Sequence, residues 1–136
     1  MTIHITLADA VASIDKAVAL KGEDHVYEMH QGGSGMTCKY AVPSPDGEGY
    51  VPDCIVGHVL VDLGVNPDEL QYTDDNDHGR IAEGNFSYMA TMAEQEGVFT
   101  INDDAVNFLA RAQFRQDSGM PWGQSVQKAK EDMEIQ

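Results

Sequence analysis

Residues 52–64 read Pro52-Asp53-Cys54-Ile55-Val56-Gly57-His58-Val59-Leu60-Val61-Asp62-Leu63-Gly64. Pro and Asp are typical of the start of a helix and Gly of its end, so the stretch predicts a compact helix from Cys54 to about Leu63, with Asp53 as N-cap. Most of its positions are apolar, which predicts burial on most sides. Gly57 costs up to about 1 kcal/mol relative to alanine inside a helix, so we expect another backbone to approach closely there.

Short β-prone segments precede this helix. Residues 25–30 and 37–42 have strand-like composition, and a glycine-rich connection over residues 31–35 separates them. The turn residues of 43–47 are followed by Tyr50-Val51, which can return as a partner strand. The pattern therefore predicts an antiparallel meander.

Helical periodicity accounts for much of the remaining chain. Thr6 is typical of an N-cap, and apolar residues repeat at helical spacing from Leu7 to Val18. Further helices are predicted from residue 66, over residues 86–93, from residue 102 and from residue 121, with a short strand over residues 98–101 and an exposed loop over residues 71–79. Together these patterns predict one α+β domain over residues 1–136, with four or five helices packed on a small antiparallel sheet. Trp122 is expected to fill the core; an exposed Trp122 would instead be an interface anchor.

The composition is that of a globular chain. The sequence has 136 residues, 42% of them hydrophobic and 23% charged. A chain of this length can bury a core without the support of disulfides or metal ions. No apolar run approaches the roughly 18–20 residues that span a membrane, and the N-terminus lacks the features of a secretion signal. Two cysteines in such a chain predict free thiols in a reducing cytoplasm.

The charge is concentrated in the middle of the chain. Residues 43–104 carry fourteen Asp or Glu against the single Arg80, within a formal net charge of −15 for the whole chain. This field excludes direct binding to nucleic acid or to an anionic membrane, and it suits a basic partner. Acids at predicted helix starts have a structural role there, and the excess lies in Asp74, Asp75, Asp77, Glu83, Glu94 and Glu96.

Three interpretations of this excess are open. A calcium-binding loop beginning at Asp74 would place Asn85 where a bidentate Glu belongs, which argues against an EF-hand. The acids can mimic the phosphates of nucleic acid and occupy a basic groove. They can also form an ordinary solvated face.

Cys54, His58 and Asp62 recur at helical spacing and form one stripe. In a structural interpretation, Cys54 is a small buried hydrophobe and His58 pairs with Asp62. In a metal interpretation, Cys38, Cys54 and His58 hold zinc with one of the histidines at 25, 30 or 78. In a catalytic interpretation, Cys54 lies at the first helical position, where the helix dipole lowers its pKa, and His58 is its base.

The common enzyme motifs are not present. Residues 32–36 fail as a nucleophile elbow because Met36 replaces the second glycine, and they fail as a dinucleotide loop because Cys38 occupies the third glycine position. No Gly-Lys-Ser/Thr phosphate loop occurs. The sequence therefore predicts no catalysis and no cofactor.

Two groups of residues resemble a known set of proteins. The first is Cys38-Lys39-Tyr40 followed by Pro52-Asp53-Cys54-Ile55-Val56-Gly57-His58 and Leu63-Gly64-Val65, and the second is Gln116-Asp117-Ser118-Gly119-Met120-Pro121-Trp122-Gly123. Both are similar to stretches of small uncharacterised accessory proteins of actinobacterial phages and prophages. The resemblance implies a phage origin and action in the bacterial host cytoplasm, and it implies no catalytic residues.

The leading prediction is a small acidic phage accessory protein that binds a host protein with a basic surface, with no catalysis. The predicted contact residues are Tyr72, Asp74, Asp75, Asp77, Glu83, Tyr88, Glu94 and Glu96. The alternatives are a zinc or small-ligand binding module centred on Cys38, Cys54 and His58, and a cysteine-dependent enzyme that uses Cys54.

Overall fold

A computed structural model describes residues 3–32, 35–70 and 86–135. Within these ranges the chain forms five α-helices: α1 (Leu7–Lys21), α2 (Ile55–Asp62), α3 (Phe86–Gln95), α4 (Asp103–Asp117) and α5 (Trp122–Asp132). A 3-10 helix covers Pro67–Leu70. The strands are β1 (Ile3–Ile5), β2 (His30–Gly32), β3 (Gly35–Thr37), β4 (Ala41–Pro43), β5 (Tyr50–Pro52) and β6 (Phe99–Ile101).

The predicted α+β class is confirmed, but the described strands form three separate pairs and not the predicted antiparallel meander. β2 pairs with β3 and β4 with β5, both antiparallel. β1 pairs with β6 in parallel, with Ile3 opposite Phe99. The parallel pair was not predicted, because a three-residue strand is too short to show alternation and its partner lies 96 residues along the chain.

The strand boundaries differ from the predicted ones. β2 begins only at His30, and the glycine-rich connection predicted over residues 31–35 contributes to both β2 and β3. The predicted strand over residues 37–42 is divided, since β3 ends at Thr37 and β4 begins at Ala41. Glycine carries no side chain that signals strand pairing, so this hairpin is hidden from the sequence pattern.

The start of α1 confirms the predicted cap. The Oγ1 atom of Thr6 accepts a hydrogen bond from the backbone N–H of Asp9 at 3.2 Å, and Oδ2 of Asp9 accepts one from the backbone N–H of Thr6 at 3.1 Å. These reciprocal bonds form a capping box. They also hold the pKa of Asp9 below its usual range.

The centre of the fold is α2, whose surroundings explain its glycine. A Cβ atom built on Gly57 would overlap the carbonyl oxygen of Tyr40 and lie 2.8 Å from its carbonyl carbon. The predicted close approach of another backbone is therefore confirmed. The predicted cap is wrong: Cys54, not Asp53, is the N-cap of α2, and its Sγ atom accepts a hydrogen bond from the N–H of Gly57 at 3.4 Å.

The core lies between the helices and includes Trp122. Helix α4 packs against α5, α1, α3 and α2, and α1 packs against α2. Trp122 is fully buried, which confirms its predicted place in the core and removes it as an interface anchor. Within the described ranges, no helix combines the length and the apolar character that crossing a bilayer requires.

Candidate functional site

The predicted contact residues fall into two groups. Tyr72, Asp74, Asp75, Asp77 and Glu83 lie outside the described residues. The other three form what we call the α3 patch: Tyr88, Glu94 and Glu96. Glu94 is exposed on α3, Glu96 is exposed just after it, and the ring of Tyr88 is 49% exposed. The buried side of α3 carries Phe86, Met89, Ala90 and Ala93.

A second acidic group lies at the turn between β4 and β5, and we call it the hairpin patch: Asp46, Glu48, Asp68 and Glu69. The 3-10 helix packs on both strands, and a Cβ atom built on Gly49 would lie 3.9 Å from Oδ1 of Asp68. All four carboxylates are exposed. The backbone N–H of Glu48 donates to Oδ1 of Asp46 at 2.9 Å, which lowers the pKa of Asp46. The fold therefore adds a patch that the sequence analysis did not single out.

Other acids of the middle segment have structural roles. Asp53 accepts a hydrogen bond from the hydroxyl of Tyr27. Asp62 accepts one from Oγ of Ser13 at 2.8 Å and lies 3.7 Å from Nζ of Lys16. The predicted pairing of His58 with Asp62 is therefore wrong, because tertiary partners from α1 take the carboxylate instead.

Cys38 and Cys54 are fully buried neighbours. Burial raises the pKa of the Cys54 thiol, and the adjacent Cys38 thiol, with which it hydrogen bonds, adds to this rise. The predicted lowering of the pKa by the helix dipole is thus overturned, since desolvation outweighs the dipole and Cys54 precedes the first helical residue. The thiol is held in its protonated form, which is not the nucleophilic form.

Two glutamine side chains of α4 complete the polar part of this core. Gln113 donates from Nε2 to Sγ of Cys38 at 2.6 Å and accepts from the hydroxyl of Tyr40 at 3.2 Å. Gln116 accepts from the backbone N–H of Ile55 at 2.7 Å and donates to Oδ1 of Asp117 at 2.8 Å. Burial raises the pKa of Asp117 to about 6. The sequence signal for this network is the presence of two amides on the apolar face of α4.

His58 lies against the core tryptophan. Its ring centroid is 5.5 Å from that of Trp122, in an edge-on arrangement, and His25 approaches Trp122 at 4.6 Å. Burial lowers the pKa of His58 to about 4, so the ring is neutral at pH 7. Its Nε2 atom has no hydrogen-bond partner in the part of the chain that the structure describes.

The described residues give limited geometric support to the zinc or small-ligand module and to the cysteine-dependent enzyme. Among residues 3–32, 35–70 and 86–135, no group of three His, Cys, Asp or Glu side chains is arranged to hold a metal ion. The thiol of Cys54 hydrogen bonds with Cys38 and Gly57, while the ring of His58 lies against Trp122. The predicted set of Cys38, Cys54 and His58 is thus split between a thiol pair and an aromatic contact.

A groove between α4 and α5 was not predicted. It has a volume of about 370 Å³ and is lined by Asn107, Ala110, Arg111, Phe114, Arg115 and Asp132. The side chain of Phe114 is 72% exposed. The signal in the sequence was an apolar residue outside the buried face of α4 with arginines on either side of it.

The described surface therefore offers two acidic patches and one groove with two arginines, while the thiols and amides of the core are buried. Comparisons of the chain with protein-family models, with curated proteins and with solved structures find no match.

Proposed function

We propose that this chain is a binding protein that covers a basic surface of a host protein and has no chemistry of its own. The observation that supports the proposal is the exposure of the described acids in the middle segment. Apart from Asp53 and Asp62, whose carboxylates accept hydrogen bonds from Tyr27 and Ser13, every acid of residues 43–104 that the structure describes is at an exposed position. Exposed carboxylates are groups that a basic surface can contact.

The α3 patch is the described part of the proposed contact. Tyr88 is a half-exposed aromatic residue, and Glu94 and Glu96 are exposed acidic residues further along the chain. Aromatic side chains are the usual anchors of protein interfaces, and charge complementarity speeds the encounter. The predicted residues between 72 and 83 extend this contact in the proposal.

The partner class follows from charge and from resemblance. A net charge of −15 selects a basic surface and repels nucleic acid and anionic lipid. The resemblance of residues 38–65 and 116–123 to phage accessory proteins makes a protein of an actinobacterial host the proposed partner. The proposed site of action is accordingly the host cytoplasm.

The test is an affinity capture from actinobacterial host lysate with matched variants. Glu94→Gln with Glu96→Gln neutralises the α3 patch, and Asp74, Asp75 and Asp77→Asn neutralises the adjoining predicted segment. The control is Glu131→Gln with Glu134→Gln, which removes two charges, as the α3 variant does, from exposed residues outside both patches. We expect one host protein to be captured by wild type and control and lost with the two test variants.

The hairpin patch gives the experiment a second control. Asp46→Asn with Glu48→Gln removes two exposed charges at another place on the fold. If only this variant loses the captured protein, the interface lies at the hairpin and not at α3. Equal capture by all variants would contradict the proposed role of the acidic middle.

A further inference from the structure

We propose that the groove between α4 and α5 binds an acidic peptide segment of a partner protein. In this complex a carboxylate side chain of the peptide meets Arg111 and Arg115, and a neighbouring large apolar side chain packs on Phe114. The groove would thus bind an acidic ligand, whereas the acidic patches are proposed to bind a basic surface. This site is therefore independent of the proposed function.

The guanidinium groups of the groove have more donors than their own partner uses. Oδ2 of Asp132 lies 2.6 Å from Nη2 of Arg115 and 3.3 Å from Nη1 of Arg111. One carboxylate is therefore shared by two cations, which leaves the groove with a net positive charge. Each guanidinium carries five N–H donors. Nη1 of Arg115 has no acceptor in the described part of the chain, but it is buried, whereas the side chain of Arg111 is 44% exposed. The donors open to a second carboxylate are therefore chiefly those of Arg111.

The chain also orients one of the arginines. Nε of Arg111 donates to Oδ1 of Asn107 at 2.9 Å, one turn earlier on α4. This bond, together with the contact to Asp132, fixes the plane of the guanidinium before any ligand arrives. A fixed planar fork suits bidentate recognition of a carboxylate.

Phe114 supplies the apolar half of the site. Phe114 is 72% exposed, and it lies between Arg111 and Arg115 on the same helix. Ala110, one turn before it, lines the groove with a small side chain and leaves room above the helix. A large apolar side chain that follows the carboxylate of a bound peptide would remove Phe114 from water.

The open form of the groove favours a peptide over other occupants. Small ligands bury most of their surface in enclosed pockets, whereas this groove has a largely exposed ring at its edge. A peptide segment is held along its length and does not need enclosure. A second copy of the chain carries the same net charge of −15, so repulsion between the two copies disfavours self-association.

The experiment uses the full chain and defined peptides. The probes are nonapeptides, acetylated and amidated at their ends, in which one Glu precedes Leu, Phe or Trp by one or two residues in a neutral Gly-Ser background. Matched peptides carry Gln in place of Glu. Binding is followed by amide chemical shifts of the ¹⁵N-labelled protein, and we expect saturable shifts on α4 and α5 with at least one Glu peptide and at least fivefold weaker binding of its Gln counterpart.

Variants assign the site. Phe114→Ser and Arg111→Gln are expected to weaken binding of that peptide at least fivefold. The control is Leu20→Ser, which changes an equally exposed apolar side chain, 74% exposed, on α1 and is expected to leave the affinity unchanged. Because both test residues are exposed, loss of the fold is not expected, and thermal unfolding of each variant checks this.

Three results would overturn the proposal. The first is the absence of saturable shifts on α4 and α5 with every Glu peptide at millimolar concentration. The second is equal affinity for Glu and Gln peptides. The third is concentration-dependent shifts of the groove in the protein alone, accompanied by a dimer in sedimentation, which would assign the groove to a second copy.

Discussion

Gly57 and Cys54 lie at the crowded start of α2, where single atoms decide whether the neighbouring segment fits. The backbone of Tyr40 crosses Gly57 so closely that no side chain can be added without movement. The thiol of Cys54 fills the N-cap position beside the thiol of Cys38. Both residues therefore act through packing with residues 38–40.

Gly57→Ala is expected to destabilise the protein. In an exposed helix this change would stabilise by up to about 1 kcal/mol, but here the added Cβ overlaps the carbonyl of Tyr40. Overpacking of this kind costs about 1–3 kcal/mol. Urea unfolding measures the difference, with Gln124→Ala on the exposed face of α5 as control, expected to lie within about 0.5 kcal/mol of wild type. A more stable Gly57→Ala variant would contradict the packing described for α2.

The buried thiols are expected to react slowly in the native protein. Cys38 and Cys54 are fully buried, and the pKa of Cys54 is raised, so a thiol reagent should label them only as the protein opens. The measurement is the labelling rate at pH 8 with and without a denaturant that unfolds the chain. Rapid labelling of Cys54 in native protein would instead support the cysteine-dependent enzyme.

His58 and Asp117 are expected to change stability with pH in opposite directions. The pKa of His58 is lowered to about 4, so between about pH 6.5 and 4 the unfolded state gains the proton first and stability falls as the pH falls. The pKa of Asp117 is raised to about 6, so from about pH 6 down to its unfolded pKa of about 4 the folded state gains the proton first and stability rises.

Variants separate the two effects. Relative to wild type, His58→Gln is expected to lose less stability between pH 6.5 and 4.5, and Asp117→Asn is expected to lose more. Each group is partly solvated, so each effect is expected to be about 1 kcal/mol. Urea unfolding at pH 7, 5.5 and 4.5 measures both, and parallel pH profiles for the three proteins would rule out the assigned shifts.

The helix starts show how far local sequence can predict this fold. The Thr6 N-cap and the burial of Trp122 follow from residues within one or two turns. The N-cap of α2 was misassigned to Asp53 because Tyr27, which binds that carboxylate, lies 26 residues away in the chain. The α4 amides and the β1–β6 pair were missed for the same reason, since their partners are distant in sequence.

The candidate site was predicted only in part. The exposure of Tyr88, Glu94 and Glu96 follows from the amphipathic pattern of α3, which a sequence shows directly. The hairpin patch depends on the packing of the 3-10 helix against β4 and β5. The groove depends on the approach of Asp132 on α5 to two arginines of α4. These contacts join distant segments and leave no local pattern, although Phe114 between Arg111 and Arg115 is visible in the sequence of α4.

Gln116 is expected to stabilise the start of α2 from α4. Its carbonyl accepts the buried N–H of Ile55, one of the donors that a helix start leaves without an intrahelical partner. Gln116→Met keeps the volume and removes the acceptor, which is expected to cost about 1–3 kcal/mol. Gln124→Met on the exposed face of α5 is the control. An equal stability of the two variants, measured by urea unfolding, would show that the bond between the elements contributes little.

The whole molecule has an uneven distribution of charge. Residues 43–104 carry fourteen acids against one arginine, whereas residues 105–136 carry four acids against four cations. The first segment contains both acidic patches, and the second contains the groove with Arg111 and Arg115. One small fold thus presents acidic surfaces that suit a basic partner and a groove that suits an acidic one. The acidic residues account for most of the electrostatic field around the protein.

The central claim is that the acidic middle holds a basic partner by electrostatics. The most direct measurement is the Kd for the captured host protein at about 0.15 M and about 0.5 M salt. At the higher concentration the Debye length is well below the separation of most surface charges. We expect the affinity of wild type to fall about tenfold or more and that of the Glu94→Gln, Glu96→Gln variant to be weaker at the lower salt. An affinity that stays the same at both salt concentrations would contradict the claim.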